Sequence, residues 1–152
     1  SGSAIAHCPT SNTFLGSGLF DYQRAFQRPG AVRVGLGSDI GAGTSLSMLQ
    51  TMGAAYKVAQ LGDYSLSAPR AFYLATRGAA RALCLDEHIG SIAPGMEADL
   101  VVLNLASTPL IEFRMRHCRG IEEALFIQMT MADDRATLAV YIAGEPAYEA
   151  AA

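Results

Sequence analysis

The sequence lacks several features that would place it in particular classes of protein. No apolar run approaches the roughly 18 residues that a membrane-spanning helix needs, and the opening SGSAIAHCPT lacks the charged start and long apolar stretch of a signal peptide. Its three cysteines are widely and irregularly spaced, which argues against a disulfide framework and against a metal site made of cysteines alone. We therefore expect a cytoplasmic protein without membrane association.

Charge is also scarce. Charged residues make up 16% of the chain, the net charge is -3, and the basic residues are scattered singly. This distribution offers no surface for nucleic acid or for an anionic membrane, so a small or neutral ligand is the expected partner. The 152 residues are 51% hydrophobic, a composition typical of one packed domain.

The first part of the chain alternates strands and helices. The predicted elements, in chain order, are a strand over residues 3–9, a loop over 10–18, a helix over 19–27, a break at Pro29 and Gly30, a strand over 32–36, and helices over 45–61 and 67–85, the last divided by Gly78. Each strand ends in a loop rich in Gly, Ser or Asp. An α/β sheet or barrel requires this arrangement of its repeating units.

The second part of the chain has a different pattern. A strand is predicted over residues 98–105, two more lie around a turn at 143–145, and a helix covers 121–131. We interpret residues 1–90 as the last β/α units of a TIM-type (β/α)8 barrel and residues 91–152 as part of a small β-sandwich domain. Two β/α units cannot close a barrel, so we expect the chain to be part of something larger.

Four stretches carry a recognisable pattern. They are HCPTSNTFLGSGLFD (residues 7–21), VGLGSDIGAGTSLSMLQTMGAAYKV (34–58), FYLATRGAARAL (72–83) and IGSIAPGMEADLVVLN (89–104). In this order they resemble the guanine deaminase family of the metal-dependent amidohydrolase superfamily. The last two are general to amidohydrolases with a β-sandwich beside the barrel, whereas the first two point to guanine deaminases in particular.

The resemblance implies deamination of guanine to xanthine and ammonia at one zinc ion, with iron as an alternative metal. In this family four histidines and an aspartate after the eighth strand hold the metal, and Asp39 in GLGSD matches that aspartate. The chain would then begin at strand seven. The histidines and the proton-shuttling glutamate are expected upstream, in the same polypeptide or in a second chain. The full enzyme is expected to be a homodimer, and this portion alone inactive.

The chemistry expected of Asp39 follows from its position. A carboxylate at the carboxyl end of a barrel strand lies on the face where catalytic loops converge. Beside a zinc ion it would stay ionised and could accept a proton from the metal-bound water. On pattern alone, Gly-Ser-Asp after a strand is more often a turn in which the aspartate bonds to backbone two residues on. The flanking resemblance favours the metal-ligand interpretation.

For each of the other polar residues near the two strand ends, two interpretations remain open. His7 either lines the active site or is a core histidine with satisfied hydrogen bonds. Thr10, Ser11 and Asn12 either brace their loop or contact the purine. The sequence does not decide between these interpretations.

Two alternative functions also stay open. A related amidohydrolase could deaminate or dechlorinate another aminated heterocycle, such as 8-oxoguanine, an adenosine derivative or a triazine, because Asp39 and residues 89–104 would serve those substrates equally well. A non-catalytic module derived from such an enzyme is the alternative of a different class. The segments SMLQTM and HCPTSNTFLGSG favour guanine.

Overall fold

A computed structural model describes residues 2–27 and 32–151 of the chain. Its elements in chain order are β1 (Ala4–His7), α1 (Pro9–Leu15), α2 (Tyr22–Gln27), β2 (Arg33–Leu36), α3 (Met48–Leu61), α4 (Ala68–Ala75), α5 (Arg77–Ala82), β3 (Leu100–Leu103), α6 (Pro109–Met115), α7 (Ile121–Met131), β4 (Thr137–Ile142) and β5 (Glu145–Glu149). Strands β1 and β2 pair in parallel, and β3, β4 and β5 form an antiparallel sheet in that order. The predicted α/β class is confirmed. The predicted break at Pro29 and Gly30 lies outside the described residues.

The parallel pair brings the ends of two strands to the same edge. Ala4 lies opposite Arg33, and His7 lies opposite Leu36. Helix α5 covers the pair closely, since a Cβ atom on Gly35 would lie 2.7 Å from the Cα atom of Ala79. The residues that follow β1 and β2 are therefore neighbours at this carboxyl edge.

The hydrophobic core lies against α3 and α4. Met52 and Ala55 of α3 and Leu74 of α4 are buried there, and α7 contributes Ile127 and Met129. The helix predicted over residues 121–131 is confirmed as α7. Because α7 packs against α3 and α4, it lies with the helices of the parallel region. The division into domains 1–90 and 91–152 stays a prediction.

The predicted loop over residues 10–18 is wrong for residues 10–15. Helix α1 occupies these residues, beginning at Pro9 and ending before Gly16, whose φ of 69° is left-handed. Proline in the first turn and glycine after the last turn are ordinary helix boundaries, but the polar composition between them favoured a loop. Helix α6 was not predicted, although Thr108 caps it and Pro109 opens it.

Other predicted boundaries also shift. The helix predicted from residue 19 begins at Tyr22, because the Asp21 carboxylate accepts a hydrogen bond from the Arg24 amide at 2.8 Å and so marks the start. The helix from Ser67 divides at Thr76 rather than at Gly78. Strand β1 is shorter than predicted and mostly exposed, since within the described residues only β2 pairs with it.

The helices of the described ranges are too short or too polar to cross a bilayer.

Candidate metal-ligand site at the carboxyl edge

Asp39 lies in a tight loop just beyond the end of β2. Its φ of 48° is left-handed, a conformation that aspartate tolerates better than most residues. The Asp39 carbonyl accepts a hydrogen bond from the Gly43 amide at 2.6 Å, which closes the loop. A Cβ atom on Gly43 would lie 1.7 Å from the Ser38 carbonyl oxygen, so this position requires glycine. These constraints fix the main chain of Asp39.

The Asp39 carboxylate is held by a residue from the other strand end. The Oγ atom of Ser11 donates a hydrogen bond to Oδ2 of Asp39 at 2.7 Å, and Ser11 is only 3% exposed. Hydrogen bonds to an ionised acceptor are shorter and stronger than neutral ones. Within the described residues, Oδ1 of Asp39 accepts no hydrogen bond. One oxygen is thus engaged and the other is available.

The structure does not contain the turn that the sequence pattern alone favoured for Asp39. No bond joins its carboxylate to the amide two residues on, within the described part of the chain. Asp133 illustrates that turn, since its Oδ1 accepts from the Arg135 amide at 3.1 Å. The Arg135 guanidinium lowers the pKa of Asp133 through the side-chain hydrogen bond. Asp39 therefore differs from a simple turn aspartate.

The pairing of Ser11 with Asp39 was not predicted. Sequence reasoning grouped Ser11 with its neighbours as a loop brace or a purine contact. The two residues are 28 positions apart, and the parallel register of β1 and β2 brings them together. Helix periodicity and turn patterns are local signals, so neither could have found this contact.

His7 ends β1 but points into the core. It is 1% exposed, its ring stacks on Phe20 at 4.5 Å between centroids, and its Nδ1 lies 2.8 Å from the Tyr22 hydroxyl. Nε2 is buried and has no hydrogen-bond partner within the described residues. Burial lowers the pKa of His7 to about 4 and, with the nearby Tyr64, raises that of Tyr22. His7 is thus buried with one of its two nitrogens hydrogen-bonded in the described residues, and its role in lining the active site stays a prediction.

Cys8, next to His7, lies near the carboxylate of Asp39. Burial, and secondly the negative charge of Asp39, raise the pKa of the Cys8 thiol. The thiol form of Cys8 is therefore favoured in the absence of a metal ion.

Asn12 lies on α1 beside a separate cavity. This cavity of about 480 Å³ is lined by Ile5, Asn12, Phe20 and Arg24 among others, and Asp39 is not among its lining residues. The backbone carbonyl of Asn12 accepts from the Ser17 amide at 2.9 Å, whereas its side chain makes no hydrogen bond within the described residues. The backbone of Asn12 thus closes the C-terminal end of α1, and the two roles expected of its side chain, bracing and purine contact, stay predictions.

The donor atoms at this edge fit one ligand of a metal site rather than a complete one. A carboxylate oxygen is an ordinary zinc ligand, and Oδ1 of Asp39 is available for that role. No group of three or more His, Cys, Asp or Glu side chains in residues 2–27 and 32–151 could hold a metal ion. Further ligands would have to come from outside the described residues.

Comparison with known proteins identifies the family. The model of the amidohydrolase family matches residues 1–147, and the chain belongs to that family. The chain is 51% identical to guanine deaminase from Escherichia coli over 97% of its own length and 33% of that protein. It spans about a third of the length of the curated relatives that it matches.

Solved structures agree with this assignment. The E. coli guanine deaminase structure superposes with a TM-score of 0.94 over 99% of this chain and 35% of that chain, at 50% identity. A Clostridium acetobutylicum guanine deaminase with guanine in its active site gives a TM-score of 0.81 at 27% identity, over 97% of this chain and 34% of that chain. An adenosine deaminase from Xanthomonas campestris with bound zinc gives a TM-score of 0.77 at 29% identity, over 94% of this chain and 31% of that chain. The predicted structural likeness to guanine deaminases is confirmed.

Proposed function

We propose that this chain is the C-terminal portion of a zinc-dependent hydrolase that deaminates guanine to xanthine and ammonia. Asp39 serves as one metal ligand and accepts a proton from the attacking water. The remaining ligands and the general acid belong to the rest of the barrel, in the same polypeptide or in a second chain. Homodimer formation and a cytoplasmic location stay predictions that accompany this proposal.

The observation that supports the proposal is the position and hydrogen bonding of the Asp39 carboxylate. It lies at the carboxyl edge of a parallel strand pair, with one oxygen held by Ser11 and the other without a hydrogen bond in the described residues. In barrels of this kind catalytic groups come from the residues that follow the strands. The similarity to the E. coli guanine deaminase extends through this region.

The proposed reaction exchanges an amino group for an oxygen. A bound zinc ion would supply an acidified water, with a pKa near 7, and a positive charge beside the reacting carbon. Water adds across the double bond between a ring nitrogen and the carbon that bears the amino group, and one water proton passes by way of Asp39 to that ring nitrogen. A general acid protonates the amino group, the carbon–nitrogen bond breaks to release ammonia, and the remaining hydroxyl proton returns to the general acid as the carbonyl forms. Ser11 keeps the carboxylate oriented throughout.

A second substrate class has one specific observation in its favour. The zinc-containing neighbour from X. campestris is described as an adenosine deaminase, and it matches this chain about as closely in sequence as the C. acetobutylicum guanine deaminase does. Deamination of an adenosine derivative would use the same water addition. Asp39 does not distinguish the two substrates.

A substrate panel tests the proposal. The full polypeptide that contains this chain is purified with its metal, and ammonia release is measured with guanine, adenosine, 8-oxoguanine and an aminated triazine. We expect the highest kcat/KM with guanine. Faster turnover of adenosine than of guanine would favour the second substrate class. The absence of ammonia release from all four compounds would support a non-catalytic module.

A further inference from the structure

We propose that Ser11 is a positioning residue that selects which oxygen of Asp39 faces the metal. Its hydroxyl holds Oδ2 and leaves Oδ1 as the ligand atom. The inference rests on the proposed function, because it assigns Asp39 to a metal site. It goes further by naming the group that controls the geometry of that ligand.

The hydrogen bond between the two residues is short and protected. Ser11 is 3% exposed and lies 2.7 Å from Oδ2, and it is the hydroxyl donor to this carboxylate within the described residues. A serine hydroxyl carries one proton, so donation to Oδ2 uses its whole donor capacity. Water competes poorly for a buried donor, which keeps the bond formed.

Both ends of this bond sit on rigid main chain. Ser11 is on α1, which starts directly after β1 and packs against α3. The Asp39 loop is closed by the bond from the Gly43 amide. With both backbones fixed, the remaining freedom of the carboxylate is rotation about its own side-chain bonds. The Ser11 hydroxyl removes that rotation.

A hydrogen bond of this kind has a known effect on a metal ligand. Groups that hold a ligand in place pre-orient it for the metal, and their loss costs metal affinity or activity roughly 10- to 100-fold. Without the Ser11 hydroxyl, the Asp39 carboxylate could turn and present either oxygen. The metal would then be held less firmly, and proton acceptance would be less well directed.

The experiment compares Ser11→Ala, Ser11→Thr and Thr13→Ala in the full polypeptide. Thr13 is the matched control, since it lies on the same helix but donates its hydroxyl to the Pro9 carbonyl at 2.9 Å. Alanine suits a helix, so Ser11→Ala should fold. The readouts are the rate of zinc release to a chromogenic chelator, the kcat and KM for guanine, and the thermal midpoint.

We expect Ser11→Ala to release zinc about 10-fold faster and to lose about 10-fold in kcat, with KM changed by less than about 2-fold. Ser11→Thr keeps a hydroxyl and should stay within about 3-fold of wild type, and Thr13→Ala should match wild type. The split between kcat and KM separates positioning of the ligand from general damage to the substrate pocket.

Two results would overturn the inference while leaving the proposed function intact. One is an active, zinc-loaded wild type in which Ser11→Ala matches Thr13→Ala in zinc release and kcat. The other is a Ser11→Thr variant with a wild-type thermal midpoint that releases zinc as fast as Ser11→Ala. A wild type that holds no zinc and leaves guanine unchanged would instead overturn the proposed function, and this inference with it.

Discussion

The carboxyl edge (residues 8–12, which include the start of α1, and the loop 37–43) and the antiparallel sheet (β3 to β5) use aspartate in different ways. In the sheet, Oδ1 of Asp99 accepts a hydrogen bond from the Ala143 amide at 2.8 Å and so holds the turn between β4 and β5. At the carboxyl edge, the Asp39 carboxylate accepts a hydrogen bond from a side chain of α1, while the backbone of its own loop is closed without the carboxylate. Asp99 stabilises a turn, whereas Asp39 is itself stabilised.

This difference separates a structural carboxylate from one that is free to act. A carboxylate that accepts a hydrogen bond from a backbone amide of a turn, as Asp99 does, stabilises the conformation of that turn. A carboxylate that is oriented by a side-chain hydroxyl, with an oxygen to spare, contributes little to the conformation of its own loop. Variants in the two regions should therefore affect different properties.

The largest expected effect is the loss of activity in Asp39→Asn. The amide keeps the size of the side chain and tolerates the left-handed backbone, but it cannot accept the proton, so kcat for guanine should fall roughly 10²- to 10⁴-fold. Asp99→Asn is the matched control and keeps an acceptor oxygen for Ala143. Steady-state kinetics on the full polypeptide would contradict the comparison if both variants lost the same activity.

Gly43→Ala should produce the next largest effect. The added Cβ would overlap the Ser38 carbonyl, so the Asp39 loop must open. We expect a loss of roughly 100-fold in kcat from misplacement of Asp39 and about 3 kcal/mol in the free energy of unfolding. Gly120→Ala is the control, because its φ of 176° is extended and a Cβ atom meets nothing within 4 Å. Urea unfolding should show a change below about 1 kcal/mol for that control.

His7 should make stability depend on pH. Burial lowers its pKa to about 4, below the unfolded value of 6.5, so the unfolded chain binds a proton that the folded chain does not. The free energy of unfolding should therefore hold above pH 6.5 and decrease towards pH 4, by up to about 3 kcal/mol.

His7→Asn tests this origin of the pH dependence. The asparagine amide can take the place of Nδ1 in the hydrogen bond with Tyr22 but does not titrate. The free energy of unfolding of the metal-free protein should therefore lose most of its dependence on pH between pH 6.5 and 4. His117→Asn, at an exposed position outside the core, should keep the wild-type slope. Equal slopes in wild type and His7→Asn would show that other groups cause the effect.

The smallest expected effect belongs to Thr108→Ala. The Thr108 hydroxyl accepts a hydrogen bond from the Ile111 amide at 3.3 Å and caps α6. Its loss should cost about 1 kcal/mol in the free energy of unfolding. The kcat for guanine should stay within about 2-fold of wild type, since α6 packs mainly against α7 in the described residues. A large loss of activity would contradict the expectation that variants outside the carboxyl edge change stability and leave activity intact.

Much of the fold could be predicted because its signals are local. Helix α7 follows from an apolar run between Gly120 and the polar segment after Met131, and the turn between β4 and β5 follows from Ala143 and Gly144, both with positive φ. Helix α1 was missed because its interior, rich in Ser, Thr and Asn, is typical of a loop. Its boundaries, Pro9 and Gly16, were present in the sequence and could have identified it.

The candidate site was predictable only in part. Asp39 could be selected because a Gly-Ser-Asp segment follows a strand and matches a family pattern. Its contact with Ser11 depends on the parallel register, which no local pattern encodes. The burial of His7 against Phe20 and Tyr22 is likewise a property of packing that no local pattern encodes.

The most direct test of the account is the zinc content of the full polypeptide and its Asp39→Asn and Asp99→Asn variants, measured by elemental analysis after dialysis. The account predicts about one zinc per chain in wild type and Asp99→Asn, and a clearly smaller value in Asp39→Asn. An Asp39→Asn protein that holds as much zinc as wild type would contradict the assignment of Asp39 as a ligand.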